Sequence, residues 1–169
     1  MITSTTRLDI RLIDIHDAAF FLALLNSPTW LKFIGDRKVY SIQDAESYIQ
    51  KRILASYENH GFGFYKLVLK GTEQTIGACG FVQRTYLPQP DIGYAILPEF
   101  EGLGYTFEAA KAIMQYGEDI LQLPIILGIT ADINLASQQV LKKIGLHRKG
   151  FLKDPETDTD ILLFSNEER

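Results

Sequence analysis

The chain has 169 residues, a length that suits one domain with a sizeable core, so we expect a single domain over residues 1–169. The formal net charge of -4 argues against a general nucleic-acid binder, and the single cysteine excludes an internal disulfide and a cysteine-rich metal site, so we expect no metal. The N-terminus lacks a signal-peptide core and no apolar run approaches the ~20 residues of a membrane helix, so we expect a cytoplasmic protein without a membrane partner.

The first half of the chain predicts one strand, two helices and then two more strands. Apolar and charged residues alternate near the start, which is the period-two pattern of a strand, and Ser41 is a typical N-cap for the second helix. Residues 30–38 are rich in aromatic side chains, and we expect them to be irregular. The predicted elements are a strand at 7–13, helices at 17–25 and 41–58, and strands at 64–69 and 75–83.

The second half predicts alternating strands and helices that end in two consecutive strands. Pro98 ends the first of these strands, and an apolar stripe marks the long helix that follows. In order, we expect a strand at 91–97, a helix at 105–121, a strand at 125–130, a helix at 134–144, and strands at 146–152 and 160–164. The order favours an α/β (α+β) class, a mixed sheet with helices packed on it, over a doubly wound parallel sheet.

Two glycines stand two positions apart between a strand and the long helix, in the sequence EGLGYT. Gly102 and Gly104 permit a sharp turn and let a phosphate approach the first helix amides, which lack backbone partners. A tight connection without any ligand explains the spacing equally well. Two other phosphate motifs are excluded. Tyr105 and Thr106 follow where a P-loop needs lysine and then serine or threonine, and Phe107 replaces the third glycine of a dinucleotide-binding turn.

Further motifs surround this turn in a characteristic order. The opening strand reads RLDIR from Arg7, IGY stands at 92–94 ahead of the turn, and the later helix follows the pattern N-x-x-S-x-x-V-L-x-K-x-G. That pattern is matched by Asn134, Ser137, Val140, Leu141, Lys143 and Gly145. With these motifs the chain resembles the GNAT N-acetyltransferase superfamily, and within it the RimJ/RimL-like branch.

The resemblance implies the GNAT acyl-CoA N-acyltransferase fold, with a mixed, mostly antiparallel central sheet flanked by helices. Its two central parallel strands, here 91–97 and 125–130, are expected to splay apart and to hold acetyl-CoA, the cosubstrate, between them. Strand amides would bind the pantetheine arm, and the turn would bind the pyrophosphate. The cofactor-binding positions implied in this way are Ile96, Leu97, Glu101, Gly102, Leu103, Gly104, Tyr105, Thr106, Asn134 and Ser137.

Two residues of the turn depart from the family pattern. Glu101 stands where relatives usually have glutamine or arginine, and Thr106 stands where they have glycine or alanine. A carboxylate repels a pyrophosphate, so we expect Glu101 to point outward. We also expect acetyl-CoA to bind more weakly than it would on a turn with glutamine or arginine. The hydroxyl of Thr106 either donates to a phosphate or adds bulk that weakens binding.

Three residues are candidates for the chemistry, each with a structural alternative. Asp91 is either a general base, directly or through water, or a solvated carboxylate at a strand start. Tyr94 either orients the thioester or is a core aromatic, and Ser137 either reaches the CoA sulfur or bonds its own helix backbone. A strand amide near Ile96 would stabilise the developing oxyanion. Leu141 stands where many GNAT enzymes have a tyrosine acid.

The resemblance implies an acetyl-CoA-dependent N-acetyltransferase that acts by direct attack of a primary amine in a ternary complex. The acceptor is a protein N-terminus or a small-molecule amine, and the sequence does not separate them. The alternative is a non-catalytic acyl-CoA-binding GNAT-like module, which the altered turn favours. Trp30, Phe33 and Ile34 either wall the acceptor site or form an apolar plug. The oligomeric state, monomer or homodimer, stays open.

Overall fold

The computed structural model describes residues 1–168, which form one eight-stranded sheet with helices on both faces. The strands are β1 (Thr3–Ser4), β2 (Leu8–Leu12), β3 (Phe64–Leu69), β4 (Gln74–Val82), β5 (Asp91–Ile96), β6 (Leu127–Thr130), β7 (His147–Lys153) and β8 (Asp160–Ser165). Their order is β1-β2-β3-β4-β5-β6-β8-β7, and only the β5–β6 pair is parallel. The mixed, mostly antiparallel sheet confirms the predicted fold class.

The described residues also form six α-helices. They are α1 (Ala18–Leu25), α2 (Pro28–Phe33), α3 (Ile42–Tyr48), α4 (Ala55–His60), α5 (Tyr105–Asp119) and α6 (Leu135–Lys143). No helix within residues 1–168 combines the length and the apolar character that a membrane crossing requires.

The sheet separates two hydrophobic clusters, because alternate side chains of a strand point to opposite faces. On one face, α1–α3 bury residues such as Phe21 and Ala45 against Ala78 of β4. On the other face, α5 and α6 bury residues such as Ile113 against the next residue of β4, Cys79. The fold is therefore three layers deep around the central strands.

The helical segment before β3 begins and ends as the sequence indicates, but its middle differs. The Ser41 hydroxyl caps α3 by accepting a hydrogen bond from the Asp44 amide, and Gly61 closes α4 with a φ of 75°. Between α3 and α4 the chain forms a π-helical segment, Ile49–Leu54, where one continuous α-helix was expected.

The expectation of an irregular segment at 30–38 is wrong for its first residues. Pro28 starts α2, which continues to Phe33. A proline at the first helical position fixes φ near its helical value and lacks only an amide that has no helical partner there. Trp30 is buried on the inner side of this helix, whereas Ile34 just after it is 40% exposed. The segment is thus partly a plug and partly surface.

The two central parallel strands separate almost from their starts. β5 and β6 share a single ladder pair, Asp91 with Leu127, and the Leu127 amide donates to the Pro90 carbonyl at 2.9 Å. Beyond this point β6 pairs on its other side with β8 over four residue pairs. A split therefore opens between β5 and β6 toward their carboxyl ends.

Candidate active site

Backbone amides of β5 face the split between the two central strands. The Leu97 amide donates to the Ile76 carbonyl of β4 at 2.8 Å, on the side away from the split. Hydrogen bonds of an antiparallel strand alternate in direction from residue to residue. The amides of Ile96 and Tyr94 therefore point toward the split, where an extended ligand can pair with them. The Leu97 amide itself is already bonded and is not free for such a ligand.

The glycine turn places the N-terminus of α5 at the open end of the split. A short 3-10 turn, Pro98–Phe100, follows β5, and both glycines take the left-handed conformation, with φ of 73° at Gly102 and 83° at Gly104. Gly104 is the N-cap of α5 and supplies no capping side chain. The first amides of this 15-residue helix lack backbone partners and lie at the positive end of the helix dipole. The arrangement suits a phosphate.

The two unusual residues of the turn have different surroundings. Glu101 is exposed, and its Oε1 accepts a hydrogen bond from Thr29 Oγ1 of α2 at 2.7 Å. The carboxylate is thus held toward α2. Thr106, at the second position of α5, is half-buried. The weaker binding of acetyl-CoA that Glu101 suggested stays a prediction.

Arg7 braces the turn, a role that the motif alone did not reveal. Its Nη1 donates to the Leu103 carbonyl at 3.0 Å, and its guanidinium lies 4.2 Å from the centre of the Tyr105 ring. Glu108 holds the other side of Arg7, since its carboxylate accepts from the Arg7 Nε at 2.7 Å and from the Arg7 amide at 2.8 Å. Arg7 therefore brings a positive charge to a turn that has no lysine. An arginine in the opening motif was the only signal.

Tyr94 and Ser137 meet across the split. The Tyr94 hydroxyl lies 3.0 Å from the Ser137 Oγ and 3.0 Å from the Ser137 carbonyl oxygen. Burial raises the pKa of Tyr94, so the phenol keeps its proton at neutral pH. Asn134 fixes the start of α6, because its Oδ1 accepts the Ser137 amide at 3.2 Å. Two of the three catalytic candidates are thus joined.

Asp91 lies apart from this pair, on the opposite face of β5. Its side chain is 1% exposed and accepts a hydrogen bond from Arg84 Nε at 2.8 Å. Burial raises the pKa of Asp91, and the positive charge of Arg84 opposes this rise. The solvated carboxylate that was one interpretation of Asp91 is therefore wrong. A buried carboxylate in an ion pair takes its place, and its catalytic role stays a prediction.

Two other residues of interest are part of the core. Leu141, at the position of the missing tyrosine, is 1% exposed and packs close to Gly128 of β6. Cys79 is fully buried, and burial raises the pKa of its thiol. Among residues 1–168 no group of three or more His, Cys, Asp or Glu side chains is arranged to hold a metal ion.

Comparisons with known proteins agree with this geometry. Residues 7–147 match the model of the acetyltransferase (GNAT) domain. YnaD of Bacillus subtilis (strain 168), an uncharacterised N-acetyltransferase, is 28% identical over 150 residues, which cover 89% of this chain and 85% of YnaD. The structure of RimL, a ribosomal α-N-protein acetyltransferase in complex with coenzyme A, has a TM-score of 0.83 at 19% identity and covers 97% of this chain and 96% of its own. A spermidine N-acetyltransferase chimera containing SpeG of Vibrio cholerae has a TM-score of 0.75 at 19% identity, with 95% of both chains covered.

Proposed function

Because the chain belongs to the GNAT acetyltransferase family and is an acetyl-CoA-dependent acetyltransferase, we propose that it acetylates a primary amine by direct attack in a ternary complex. The observation that carries the proposal is the split between β5 and β6, which free strand amides and the N-terminus of α5 both face. The acceptor is a protein N-terminus, as the name of RimL states for that enzyme, or a small amine, as the name of the spermidine N-acetyltransferase states. The enzyme works as a monomer or a homodimer.

Acetyl-CoA would lie along β5 with its pyrophosphate on the turn. The Ile96 amide would pair with the pantetheine arm, the Tyr94 amide would face the thioester end of the ligand, and Leu97 would contribute backbone other than its bonded amide. The first amides of α5 would offset the negative charge of the pyrophosphate, and Arg7, whose charge Glu108 balances, would hold the turn through the Leu103 carbonyl. The binding set is Ile96, Leu97, Glu101, Gly102, Leu103, Gly104, Tyr105, Thr106, Asn134 and Ser137.

In the transfer step the neutral amine attacks the thioester carbonyl, so that a C–N bond forms and the C–S bond breaks. A β5 amide near Ile96 stabilises the oxyanion as it develops. Tyr94 donates its proton to the leaving thiolate and recovers a proton from solvent water through Ser137, whose Oγ is 3.0 Å from the phenol oxygen, while the proton taken up by Asp91 returns to solvent. The proton lost by the amine goes to Asp91 through water, since the buried carboxylate does not reach the surface directly.

The test is release of CoA thiol from acetyl-CoA in the presence of a panel of primary amines. Tyr94→Phe should lower kcat about 100-fold, because general acid catalysis is worth 10²–10⁴-fold, and should leave the acetyl-CoA Kd nearly unchanged. Tyr116→Phe is the matched control, because Tyr116 lies in α5 and packs edge-on against Tyr65. Calorimetry gives the Kd for each variant.

Two results would argue against this function. Equal kcat for Tyr94→Phe and the unchanged chain would remove Tyr94 from the chemistry. Tight binding of acetyl-CoA with no thiol release for any amine would support the alternative, a non-catalytic acyl-CoA-binding module. The observation that favours this alternative is the buried Leu141 at the position where many GNAT enzymes have a tyrosine acid.

A further inference from the structure

A basic pocket lies beside α3, on the face of the sheet opposite to Tyr94. Its volume is about 250 Å³, and among its lining residues there are four basic side chains and one acidic side chain. We call this cavity the basic pocket, and its basic residues are Arg37, Lys38, Lys51 and Arg52. The whole chain has a net charge of -4, so this local excess of positive charge runs against the overall balance.

The charges of the basic pocket are only partly neutralised. Arg37 Nη1 donates to the exposed carboxylate of Glu156 at 3.2 Å, yet the Arg37 Nε is buried and has no hydrogen-bond partner among residues 1–168. Lys51 and Arg52 form no ion pair within the part of the chain that the structure describes. A buried donor without an acceptor is costly, and a bound anion would satisfy it.

The acid that lines the pocket offsets only part of this positive charge. Asp44 Oδ2 accepts the Tyr40 amide at 3.0 Å, and the Asp44 amide donates to the Ser41 hydroxyl that caps α3. Its carboxylate is thus engaged at the start of the helix. Asp44 in the lining and Glu156 bound to Arg37 are two carboxylates against four cations, so the pocket keeps a net positive charge.

The basic pocket and β5 share the α1–α3 face of the sheet, and Tyr48 is the residue that belongs to both the pocket and the cluster on that face. Tyr48 lines the pocket. Tyr48 also packs on the hydrophobic cluster of the α1–α3 face, as does Ala95 of β5. Arg84 binds Asp91. The pocket therefore lies on the same face of the sheet as Asp91, because Asp91 and Ala95 share one face of β5.

We propose that the basic pocket binds an anionic group, a carboxylate or a phosphate, carried by the amine acceptor. The inference rests on the proposed function and narrows its substrate class. Guanidinium groups match the geometry of carboxylates and phosphates, and an anion bound there would anchor the acceptor while its amine reaches the thioester. A polycationic acceptor such as spermidine would be repelled by the same charges.

Matched pairs of acceptors test the substrate class. Glutamate is compared with its diamide (glutamine amide), which has no carboxylate, phosphoethanolamine with ethanolamine, and a peptide with acidic second and third residues with its amide counterpart, while spermidine serves as the cationic acceptor. The anionic member of at least one pair should have a kcat/KM about tenfold or more above that of its neutral partner, and this advantage should fall as salt is raised. The free compounds and the peptide separate a small acceptor from a protein N-terminus.

Variants that remove positive charges test whether the preference for anionic acceptors comes from the basic pocket. Lys51→Gln combined with Arg52→Gln should lower the preference for the anionic member about tenfold and leave the acetyl-CoA Kd unchanged. Lys149→Gln is the control, since Lys149 is an exposed cation of β7 that bonds only the Glu167 carbonyl among the described residues. Equal kcat/KM for both members of every pair, or a preference that survives the double variant, would overturn the inference.

A binding measurement separates this inference from the proposed function. Calorimetry of the CoA-saturated protein with glutamate, phosphoethanolamine and the acidic peptide needs no turnover. Binding of one of them that is lost in the Lys51→Gln, Arg52→Gln variant supports the anion site even where no amine is acetylated. If neutral amines are acetylated and none of these anions binds, the inference of an anion site is wrong and the proposed acetyltransferase function still holds.

Discussion

The burial of Asp91 is consistent with two roles, a catalytic base and a structural ion pair. Its carboxylate is almost completely removed from water, and only the Arg84 guanidinium compensates for the lost hydration. Such a group is a candidate base because its pKa is raised toward the working pH, and it is equally a structural ion pair that fixes the start of β5. Substitution of one partner alone does not distinguish these roles.

A double-mutant comparison does distinguish them. Asp91→Asn should lower kcat about 100-fold with little change in acetyl-CoA affinity if the carboxylate accepts the amine proton. Adding Arg84→Gln removes the charge that Asp91→Asn leaves unpaired. If Asp91 is the base, the double variant stays as slow as Asp91→Asn; if the pair is only structural, the double variant recovers activity. Steady-state kinetics and calorimetry provide both readouts.

The pH profile gives a second readout for the same residue. A base acts in its deprotonated form, so kcat/KM should fall as the pH drops through the pKa of Asp91. Burial raises that pKa, so this acid limb should lie above the ordinary value of about 3.9 and should vanish in Asp91→Asn. Unaltered turnover in Asp91→Asn would reject the base assignment.

At the scale of elements, Glu108 ties the N-terminus of α5 to the start of β2. Its carboxylate accepts hydrogen bonds from Thr5 Oγ1 at 2.6 Å and from both the backbone and the guanidinium of Arg7. An acidic residue in the first turn of a helix also interacts favourably with the helix dipole. The same contacts hold Arg7 against the Leu103 carbonyl, so stability and the shape of the turn depend on one side chain.

Glu108→Gln should therefore destabilise the fold by about 1–3 kcal/mol at pH 7, because it removes charged hydrogen bonds. Burial acts to raise the pKa of Glu108, but the bonds from Thr5 and Arg7 outweigh it and the pKa is lowered. The stabilisation is thus present above the unfolded value of about 4.3 and is lost as pH falls through the lower folded value. Urea denaturation should show that the difference in free energy of unfolding between the unchanged chain and Glu108→Gln is smaller near pH 3 than at pH 7.

The control for this variant is Glu118→Gln, which neutralises an exposed carboxylate on the same helix. It should change stability little at either pH. A constant difference between Glu108→Gln and the unchanged chain down to pH 3 would contradict the assignment, because protonated glutamate and glutamine are nearly equivalent at this position.

Local patterns predicted most elements, and the contacts between distant elements were not predictable from them. The strand at 64–69 was predicted with the bounds that the structure shows, because its pattern and flanking turns are local. The π-helical segment Ile49–Leu54 has no such local signal, since its residues are ordinary helix formers. The contacts of Arg7 with Glu108 join residues 101 positions apart, and those of Tyr94 with Ser137 span 43 positions. Only the folded chain brings these pairs together.

For the whole molecule, the division of the sheet determines where a ligand acts. β1 to β5 form one part, and β6, β8 and β7 form the other, with Asp91 and Leu127 as the one ladder pair between them. The Tyr94–Ser137 contact joins the parts again near the start of α6. Acetyl-CoA bound in the split would touch β5, the turn and α6 at once, and so would link two parts that the backbone leaves apart.

Hydrogen exchange should make this linkage visible. Acetyl-CoA at about 100 times its Kd adds about 2.7 kcal/mol to stability. Amides that exchange only when the two parts of the sheet separate should therefore exchange more slowly, by the factor that corresponds to this free energy. We expect slower exchange in peptides covering β5, the turn at 101–106 and the start of α6. Peptides covering β2 should be affected less, because β2 pairs with β3 at a distance from the split.

Fragments of the ligand separate local contact from linkage. Pantetheine should slow exchange mainly in β5, and ADP mainly in the turn, because each carries only one part of CoA. The full cosubstrate should protect β5, the turn and the start of α6 by more than the two fragments together, since one molecule then holds both parts of the sheet. Protection confined to the turn with acetyl-CoA would show that the ligand does not lie in the split. The proposed positions of the pantetheine arm, of Tyr94 and of the amine acceptor would then all have to be abandoned.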